Sequence, residues 1–456
     1  MPAFSSEHLR TRLSRFPDAR RCWIAYSGGM DSEVLLHAAA ALRDRVSVQI
    51  QAVHVDHGLQ PDSARWADHC GASCARFAVP LRVLRLEISA VRGESLEAVA
   101  REARYRVLAA LLGAGDLLLT AHHRGDQAET LLLALLRGSG VRGLAAMPPI
   151  AALGEGRLVR PLLDVGRGEL RAYALKQGLD WVDDPSNWDL TRDRNFLRHR
   201  VLPVLAERWP ACEVTLARTA GHCADAEALV AHLAARTTAG FAGGRSGTLS
   251  IQGIQTLDLA LRRAAIRYWI VEQGFRPPDA KHLGRILDEV LTARPDGSPL
   301  VAWSGCEIRR HRDDLFALAP LPPPLAGETL SWTMGALVLP SGLGQLRLLN
   351  DAGEPLDPAA ICAGGLRVRF GVPGLSCLDL AGRHHHALKK LFQERGVPAW
   401  LRQYVPLVFA GDRLTAVGDL WGYRPPRADE SHSISLLWEG HPWEGWLARP
   451  RCQATP

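Results

Sequence analysis

The clearest structural signal in the sequence is the segment Ile24-Ala25-Tyr26-Ser27-Gly28-Gly29-Met30-Asp31-Ser32. An apolar run, typical of a buried strand, ends there in a Ser-Gly-Gly turn, and an Asp-Ser pair opens a predicted helix. This arrangement presents backbone N–H groups and a helix N-terminus to an anion. The chain has no G-x-x-x-x-G-K-[ST] motif. Its G-x-G-x-x-G match at residues 138–143 follows a predicted helix, so it indicates a helix-ending turn and not a dinucleotide site.

Strands and helices are predicted to alternate outward from this turn. The predicted strands cover residues 21–26, 46–55, 81–86 and 116–120, and the helices cover 32–42, 63–77, 95–112 and 126–136. This pattern predicts an α/β fold, with a parallel sheet that carries helices on both faces. Ligands of such sheets bind beyond the carboxyl ends of the strands, so the loops after strands one, two and four should meet at one cleft.

The pattern changes in the second half of the chain. Residues 200–233, 256–272 and 281–291 read as helices, a Pro-rich stretch covers 319–324, and short β-like runs surround a helix at 388–394. We therefore predict a catalytic domain at 1–215, a helical domain at 216–320, a Pro-rich linker and connecting segment at 321–355, and a small α+β domain at 356–456.

Composition sets broad limits on the class of protein. The 456 residues include 54 Lys and Arg against 48 Asp and Glu, a net charge of +6 that is compatible with a polyanionic partner or with a soluble surface alone. The nine cysteines form no C-x-x-C pair, which disfavours disulfides and zinc ribbons and favours a reducing cytoplasm. No signal peptide or membrane span is predicted.

The loop at 27–32 has the side chains of a phosphate site. Gly28 and Gly29 let the backbone approach phosphate closely, and the hydroxyls of Ser27 and Ser32 can donate to phosphate oxygens. The carboxylate of Asp31 would repel a bound anion unless a cation lay between them. Mg²⁺ is the expected cation, because it is commonly held by carboxylates together with substrate phosphates. The alternative is that Asp31 and Ser32 only cap a helix.

Polar clusters follow the second and fourth predicted strands. His54-Val55-Asp56-His57-Gly58 either lines the cleft or forms an ordinary turn. In the run from 120 to 130, Asp126 and Glu129 share a helix face, where they can simply stabilise the helix N-terminus. The functional alternative is a set of carboxylates for Mg²⁺ or for a cationic substrate amine.

Arginines add two further candidate groups. Arg101 and Arg104 lie on the helix that leads into strand four, where a solvated surface position is the ordinary outcome. Arg194-Asn195 follows an acidic stretch at 183–189. That pair suits contact with phosphate or a base, although a solvated polar loop fits the local sequence equally well. A basic cluster at 383–390 suits contact with a phosphate backbone, and the alternative is a solvated charged face.

Together these motifs resemble the tRNA(Ile)-lysidine synthetase family of the ATP pyrophosphatase (PP-loop) superfamily. The resemblance rests on their order and spacing and covers essentially the whole chain. It continues into C-terminal segments such as Lys389-Lys390-Leu391-Phe392-Gln393-Glu394 and Gly418-Asp419-Leu420. It implies an adenine-nucleotide alpha-hydrolase-like fold. It also implies a ligase that adenylates C2–O of the wobble cytidine in a CAU-anticodon tRNA(Ile), releases pyrophosphate, and then joins free lysine to C2 with loss of AMP.

The resemblance also implies site residues and partners. The acids and bases are Asp31, His122, Asp126 and Glu129, and the arginines are Arg104 and Arg194. The ATP-binding residues are Ser27, Gly28, Gly29, Met30, Asp31 and Ser32, with Asp31 as the Mg²⁺ ligand. ATP, L-lysine and tRNA(Ile) are the expected partners, with C-terminal tRNA recognition, and a homodimer is compatible with the resemblance. One residue departs from the family pattern, because Gly125 stands where the family usually has the first of two acids.

Three other functions are compatible with parts of the sequence. A tRNA thiolation enzyme of the same superfamily needs a sulfur relay, which the lack of C-x-x-C disfavours. An amidotransferase-type synthetase needs an N-terminal Cys nucleophile or a glutaminase domain, and neither is seen. A non-catalytic nucleotide-gated RNA-binding protein does not need the acids beside the phosphate loop.

Overall fold

The computed structural model describes residues 4–56, 63–86, 96–294, 297–325, 327–350, 353–362, 364–378, 385–421, 434–444 and 446. Two of the sequence features, His57-Gly58 and residues 383–384 of the basic cluster, lie outside these residues. The chain divides into two compact units, Met1–Leu229 and Val230–Pro456. Within the described residues, no helix is long and apolar enough to cross a membrane.

A six-stranded sheet forms the centre of the first unit. Its order is β3-β2-β1-β4-β6-β5, and all neighbours are parallel except the β5–β6 pair. The strands are β1 Arg21–Ala25, β2 Gln49–Asp56, β3 Leu81–Arg85, β4 Leu117–Leu119, β5 Ile150–Leu153 and β6 Gly156–Val159. The helices are α1 Ser6–Leu13, α2 Met30–Ala40, α3 Ser63–Arg76, α4 Leu96–Leu111, α5 Arg124–Leu136, α6 Val141–Leu144, α7 Arg167–Lys176, α8 Asp193–Phe196, α9 Leu202–Arg208 and α10 Cys212–Ala239, of which residues 230–239 belong to the second unit.

Alternating side chains of the buried strands form two cores, one on each face of the sheet. Cys22 and Ile24 of β1 belong to one core, together with apolar residues of α1, α2 and α7. Trp23, between them in sequence, belongs to the other core, with Leu108 of α4. Because neighbouring residues of a strand point to opposite faces, this division shows that both faces are covered. The predicted parallel sheet with helices on both faces is confirmed.

The beginning of the second unit is only partly helical. It contains α11 Ile251–Gln255, α12 Leu259–Glu272 and α13 Ala280–Arg285, the last continued by a π-helical turn at Ile286–Val290. It also contains an antiparallel sheet of order β7-β10-β9-β8, formed by β7 Leu249–Ser250, β8 Leu300–Trp303, β9 Cys306–His311 and β10 Asp314–Leu318. The helices were expected but the sheet was not. Buried and partly exposed residues alternate along β9, but its charged side chains hide this pattern in the sequence. One of them, Arg310, is buried and donates to the carbonyls of Leu291 and Ala293.

The rest of the second unit is α+β, as predicted. Its strands are β11 Thr329–Trp332, β12 Leu337–Val338, β13 Gln345–Leu349, β14 Pro355–Leu356, β15 Leu366–Arg369, β16 Ser376–Leu378, β17 His385–Ala387, β18 Leu407–Ala410, β19 Arg413–Val417 and β20 Ser435–Glu439. The helices are α14 Pro358–Ile361 and α15 Leu388–Glu394. Strands β11, β15, β18 and β19 form one antiparallel sheet, β12, β13, β14 and β20 form another, and β16 pairs with β17.

The segment 321–355 is more than a connection. Its strand β11 pairs with β15, and its strand β13 pairs along its whole length with β20. Trp332 and Leu346 are buried in the same core as Val408. The sequence reading of this segment as a linker is therefore corrected, because its short strands are completed by partners far along the chain.

Candidate active site

A cleft of about 430 Å³ lies at the carboxyl ends of β1, β2 and β4. The strand order reverses between β1 and β4, which is where ligands bind in open parallel sheets. The loop after β1 and the loop after β4 therefore face the same space. The predicted site residues that line the cleft are Ser27, Gly29, Met30, Asp31, Ser32, Arg104, His122 and Asp126. The remaining three, Gly28, Glu129 and Arg194, do not line it.

The turn after β1, residues 27–29, has the geometry of an anion site and is named the phosphate turn. Gly28 has φ +82°, a left-handed conformation that favours glycine, and a Cβ there would lie 3.2 Å from Sγ of Cys70. The hydroxyl of Ser32 donates to the carbonyl of Gly29 (2.9 Å) and accepts from the backbone N–H of Ser27 (3.2 Å). These bonds hold the turn against the start of α2, whose first residues, Met30 and Asp31, line the cleft.

Asp31 is not the helix cap. Gly29 is the N-cap of α2, and Asp31 lies inside the first helical turn. Its Oδ1 is buried and accepts no hydrogen bond within the described part of the chain, and burial raises the pKa of this carboxyl despite nearby His123 and Arg167. A buried carboxylate oxygen without a partner, next to a phosphate-type turn, fits a divalent cation that also contacts phosphate.

Two consecutive histidines follow β4, and they have different roles. His122 is held by a hydrogen bond between Nδ1 and the hydroxyl of Thr120 (2.9 Å), and burial lowers the pKa of its imidazole to about 4. It is therefore neutral near pH 7 and can donate or accept a hydrogen bond in the cleft without carrying charge.

His123, which sequence reasoning passed over, is the N-cap of α5. Its Nδ1 accepts from the backbone N–H of Asp126 (3.3 Å), and Asp126 Oδ2 accepts from the backbone N–H of His123 (3.0 Å). Its Nε2 lies 3.6 Å from Asp126 Oδ2 and 3.8 Å from Asp31 Oδ2, so the ring stands between the two carboxylates. The reciprocal cap starts α5 at Arg124, two residues before the predicted start.

The same cap accounts for the departure at Gly125. A Cβ on Gly125 would lie 2.9 Å from Cε1 and 3.1 Å from Nδ1 of His123. Any larger residue would therefore press against the capping imidazole. Glycine at this position leaves room for the ring in the orientation that bonds to Asp126.

Asp126 and Glu129 are paired with two arginines. Arg194 donates from Nε to Glu129 Oε2 (2.7 Å) and from Nη2 to Asp126 Oδ1 (3.0 Å). Arg198 donates from Nε to Glu129 Oε1 (2.6 Å) and from Nη2 to Asp126 Oδ1 (2.9 Å). Burial alone would raise the pKa of Asp126, but His123, Arg194 and the backbone N–H of His123 outweigh it and lower the pKa to about 2. The two carboxylates and two guanidiniums form a charge-balanced cluster.

Arg198 was missed as a site residue. It lines the cleft, whereas Glu129, only 1% exposed, lies behind it. A sequence signal was present: Asp126 and Glu129 are three apart, Arg194 and Arg198 are four apart, and each pair shares one helix face. Nothing local in the sequence indicates that these two faces meet.

Arg104 lines the cleft from α4. Its guanidinium lies 5.5 Å from the ring centroid of Tyr105, and its Nε is buried and without a hydrogen-bond partner among the described residues. A guanidinium so placed can bind a phosphate or another acceptor of a bound substrate.

Family models match successive parts of the chain. A family model described as "PP-loop domain" matches residues 5–205, one described as "TilS substrate binding domain" matches 249–316, and one described as "TilS substrate C-terminal domain" matches 366–438.

Curated relatives extend the similarity over most of the chain. A protein of Methylococcus capsulatus named tRNA(Ile)-lysidine synthase is 44% identical over 397 residues, which is 87% of this chain and 90% of the relative. Proteins of the same name from Alkalilimnicola ehrlichii and Coxiella burnetii are 42% and 38% identical, over 92% and 93% of this chain and 94% and 98% of their own lengths. With identities of 38% to 44% over most of both chains, these relatives show that the chain belongs to the tRNA(Ile)-lysidine synthase family.

Proposed function

We propose that this protein catalyses the reaction for which its family is named, the ATP-dependent joining of lysine to the wobble cytidine of a CAU-anticodon tRNA(Ile). One observation supports this above the others. The phosphate turn, the unpartnered Oδ1 of Asp31, neutral His122 and Arg104 all face one cleft at the β1–β4 switch point. An enzyme that splits ATP beside a second substrate needs these groups together.

In the first step, O2 of the cytidine attacks the α-phosphorus of ATP. The bond between the α-phosphorus and the bridging oxygen breaks, and pyrophosphate leaves. The N–H groups at the start of α2 and the hydroxyls of Ser27 and Ser32 would bind phosphate oxygens, and Arg104 would bind a further one. Asp31 would hold Mg²⁺, which supplies charge neutralisation on the phosphates when bound.

In the second step, the ε-amine of lysine, after losing a proton, attacks C2. The C2–O2 bond breaks and AMP leaves. Neutral His122 would position the reacting groups by hydrogen bonds. Asp126, which lines the cleft, would attract the lysine ammonium before its deprotonation or share the metal. Glu129 would act through Arg194 and Arg198, because both of its carboxylate oxygens already accept from them.

The remaining assignments are also proposals. Residues 1–215 would carry the chemistry, and the modules at 216–320 and 356–456 would recognise the tRNA. The proposal includes free L-lysine as co-substrate and a reducing cytoplasm as the compartment. A homodimer stays a prediction from the family resemblance.

Transfer of labelled lysine tests the function directly. The full-length protein is incubated with ATP, Mg²⁺, radiolabelled lysine and transcripts of the two CAU-anticodon tRNAs, the isoleucine and the methionine species. We expect label in the isoleucine transcript only, and none without ATP. Label in neither transcript, or equal label in both, would refute the proposed reaction or its specificity. Sulfur incorporation in place of lysine would indicate a thiolation enzyme.

A further inference from the structure

Trp188 is the feature that the proposed chemistry leaves unused. It is 71% exposed, which is unusual for the largest apolar side chain. Its indole stacks on the imidazole of His199, with ring centroids 4.5 Å apart and planes at 22°. One face of the indole is thus supported by protein while most of the side chain is open to solvent.

Hydrogen bonds fix this stacked pair in place. Nε2 of His199 donates to the carbonyl of Asn187 (2.9 Å). The side-chain amide of Asn195 donates to the carbonyls of Ser186 (2.9 Å) and Asp189 (3.0 Å), on either side of Trp188. The turn is therefore tied to α8 and to the π-helical turn Leu197–Val201, so the indole is held ready before any partner binds.

The pair lies at the rim of the cleft. Asn187, directly before Trp188, lines the cleft, and so does Arg198, directly before His199. Further back along the same segment, the backbone N–H of Val182 donates to the carbonyl of Gly28 in the phosphate turn (2.9 Å). Trp188 and His199 are thus each next in sequence to a residue that lines the cleft.

We propose that Trp188, supported by His199, is a stacking platform for an unpaired base of the anticodon loop next to the base that reacts in the cleft. This inference rests on the proposed function. Bases of a single-stranded loop present open π faces, and exposed aromatic side chains bind them without regard to sequence. When the wobble base enters the cleft, its neighbour in the loop comes to the rim, where the indole offers a fixed surface.

Stacking would do more than add affinity. A base held on Trp188 would set the direction in which the RNA strand enters the cleft, and so would help to present O2 of the cytidine to ATP. Trp188 would be a positioning residue, since it touches the RNA beside the reacting base and not the reacting atoms.

Three variants of the full-length protein test the platform. Trp188→Ala removes the stacking surface, and Trp188→Phe keeps a smaller ring. Trp209→Ala is the matched control, since Trp209 is 59% exposed and neither it nor its neighbours in sequence line the cleft. The probe is a fluorescent RNA stem-loop with the CAU anticodon, and its Kd is measured by anisotropy without ATP or lysine. Steady-state lysine transfer then gives KM and kcat for the whole tRNA.

We expect Trp188→Ala to raise the Kd of the stem-loop and the KM of the tRNA by roughly 5- to 150-fold, the range for loss of one stacked base, and to lower kcat as well, because the RNA strand is no longer directed into the cleft. Trp188→Phe should fall between Trp188→Ala and the wild-type protein, and Trp209→Ala should match the wild-type protein. Thermal unfolding of all variants should be unchanged, because an exposed side chain is replaced.

The possible outcomes distinguish a failure of the stacking platform from a failure of the proposed function. Equal RNA affinity of Trp188→Ala and the wild-type protein would refute the platform while lysine transfer persists. The platform would also be refuted if Trp188→Ala kept its RNA affinity but lost self-association, as measured by sedimentation. Trp188 would then contact a second copy of the chain and not RNA. A wild-type protein that binds the stem-loop but transfers no lysine would refute the proposed function, and the Kd comparison would still report on stacking.

Discussion

At the scale of single residues, burial and pairing separate groups that look alike in the sequence. Asp31, Asp126 and Glu129 are all acids at helix starts. Asp126 and Glu129 are neutralised by two guanidiniums, whereas Asp31 keeps a buried oxygen without a partner within the described chain. Local sequence could not distinguish them, because the arginines that pair with Glu129 come 65 and 69 residues later.

Replacing Glu129 with Gln should disturb both arginines. The amide keeps the shape but loses the charge, so Arg194 and Arg198 lose a strong acceptor. We expect about 1–3 kcal/mol less stability in urea unfolding and a clear fall in kcat/KM for lysine transfer. The exposed Glu207→Gln serves as control. Normal lysine transfer by Glu129→Gln would remove Glu129 from the site.

His122 gives the stability of the fold a pH dependence of known sign. Its pKa is about 4 in the folded chain against 6.5 as its ordinary value, so between these values the unfolded chain binds a proton that the folded chain does not. Stability should therefore fall as the pH decreases from about 6.5 to 4. Unfolding curves of His122→Asn should show a weaker loss over this window, while the exposed His222→Asn should follow the wild-type protein. If the unfolding free energy of His122→Asn fell as steeply with decreasing pH as that of the wild-type protein, the buried imidazole would not be the source of this pH dependence.

At the scale of elements, the strand–turn–helix at the start of the chain was readable because its signals are local. The apolar run, the glycine at positive φ and the helix start are contiguous, and β1, the turn and α2 are found where the pattern placed them, within two residues at each end. The start of α5 was predicted with the same two-residue error, although its capping signal is unusual. Its cap is a histidine, which is not among the common N-cap residues.

Gly125 links this cap to the site, and adding a side chain there should test the link. Gly125→Ala places a Cβ against the His123 ring, so we expect a loss of about 1–3 kcal/mol in unfolding free energy and a lower rate of lysine transfer. Gly168→Ala is the control, because a Cβ at Gly168 of α7 meets no atom within 4 Å. Stability of Gly125→Ala equal to that of the control would show that the His123 orientation does not depend on glycine.

At the scale of the whole molecule, each unit has its own hydrophobic cores. Leu36 belongs to a core within Met1–Leu229, and Phe370 belongs to one within Val230–Pro456. The sequence predicted the class of the first unit well, because continuous apolar strands and alternating helices are strong signals. It predicted the second unit less well. The β-like runs at 346–349 and 407–409 are found as β13 and β18, but β11 and β20, whose partners lie far along the chain, were not predicted.

Separate cores predict separate unfolding. Phe370→Ala should destabilise Val230–Pro456 by about 3–5 kcal/mol and leave ATP binding by the other unit unchanged in calorimetry. Leu36→Ala should do the reverse, with a loss of about 2–5 kcal/mol in the first unit and weaker ATP binding. A single urea transition that both variants shift equally would show that the two units unfold together.

The central claim is that ATP is split at the turn beside Asp31. The most direct measurement is the pyrophosphate released from ATP and CAU-anticodon tRNA(Ile), with lysine omitted, by the wild-type protein, Asp31→Asn and the exposed control Asp180→Asn. We expect tRNA-dependent pyrophosphate release from the wild-type protein and from the control, and a rate at least about 10²-fold lower from Asp31→Asn with its fold intact. A rate of pyrophosphate release from Asp31→Asn equal to that of the wild-type protein would contradict it.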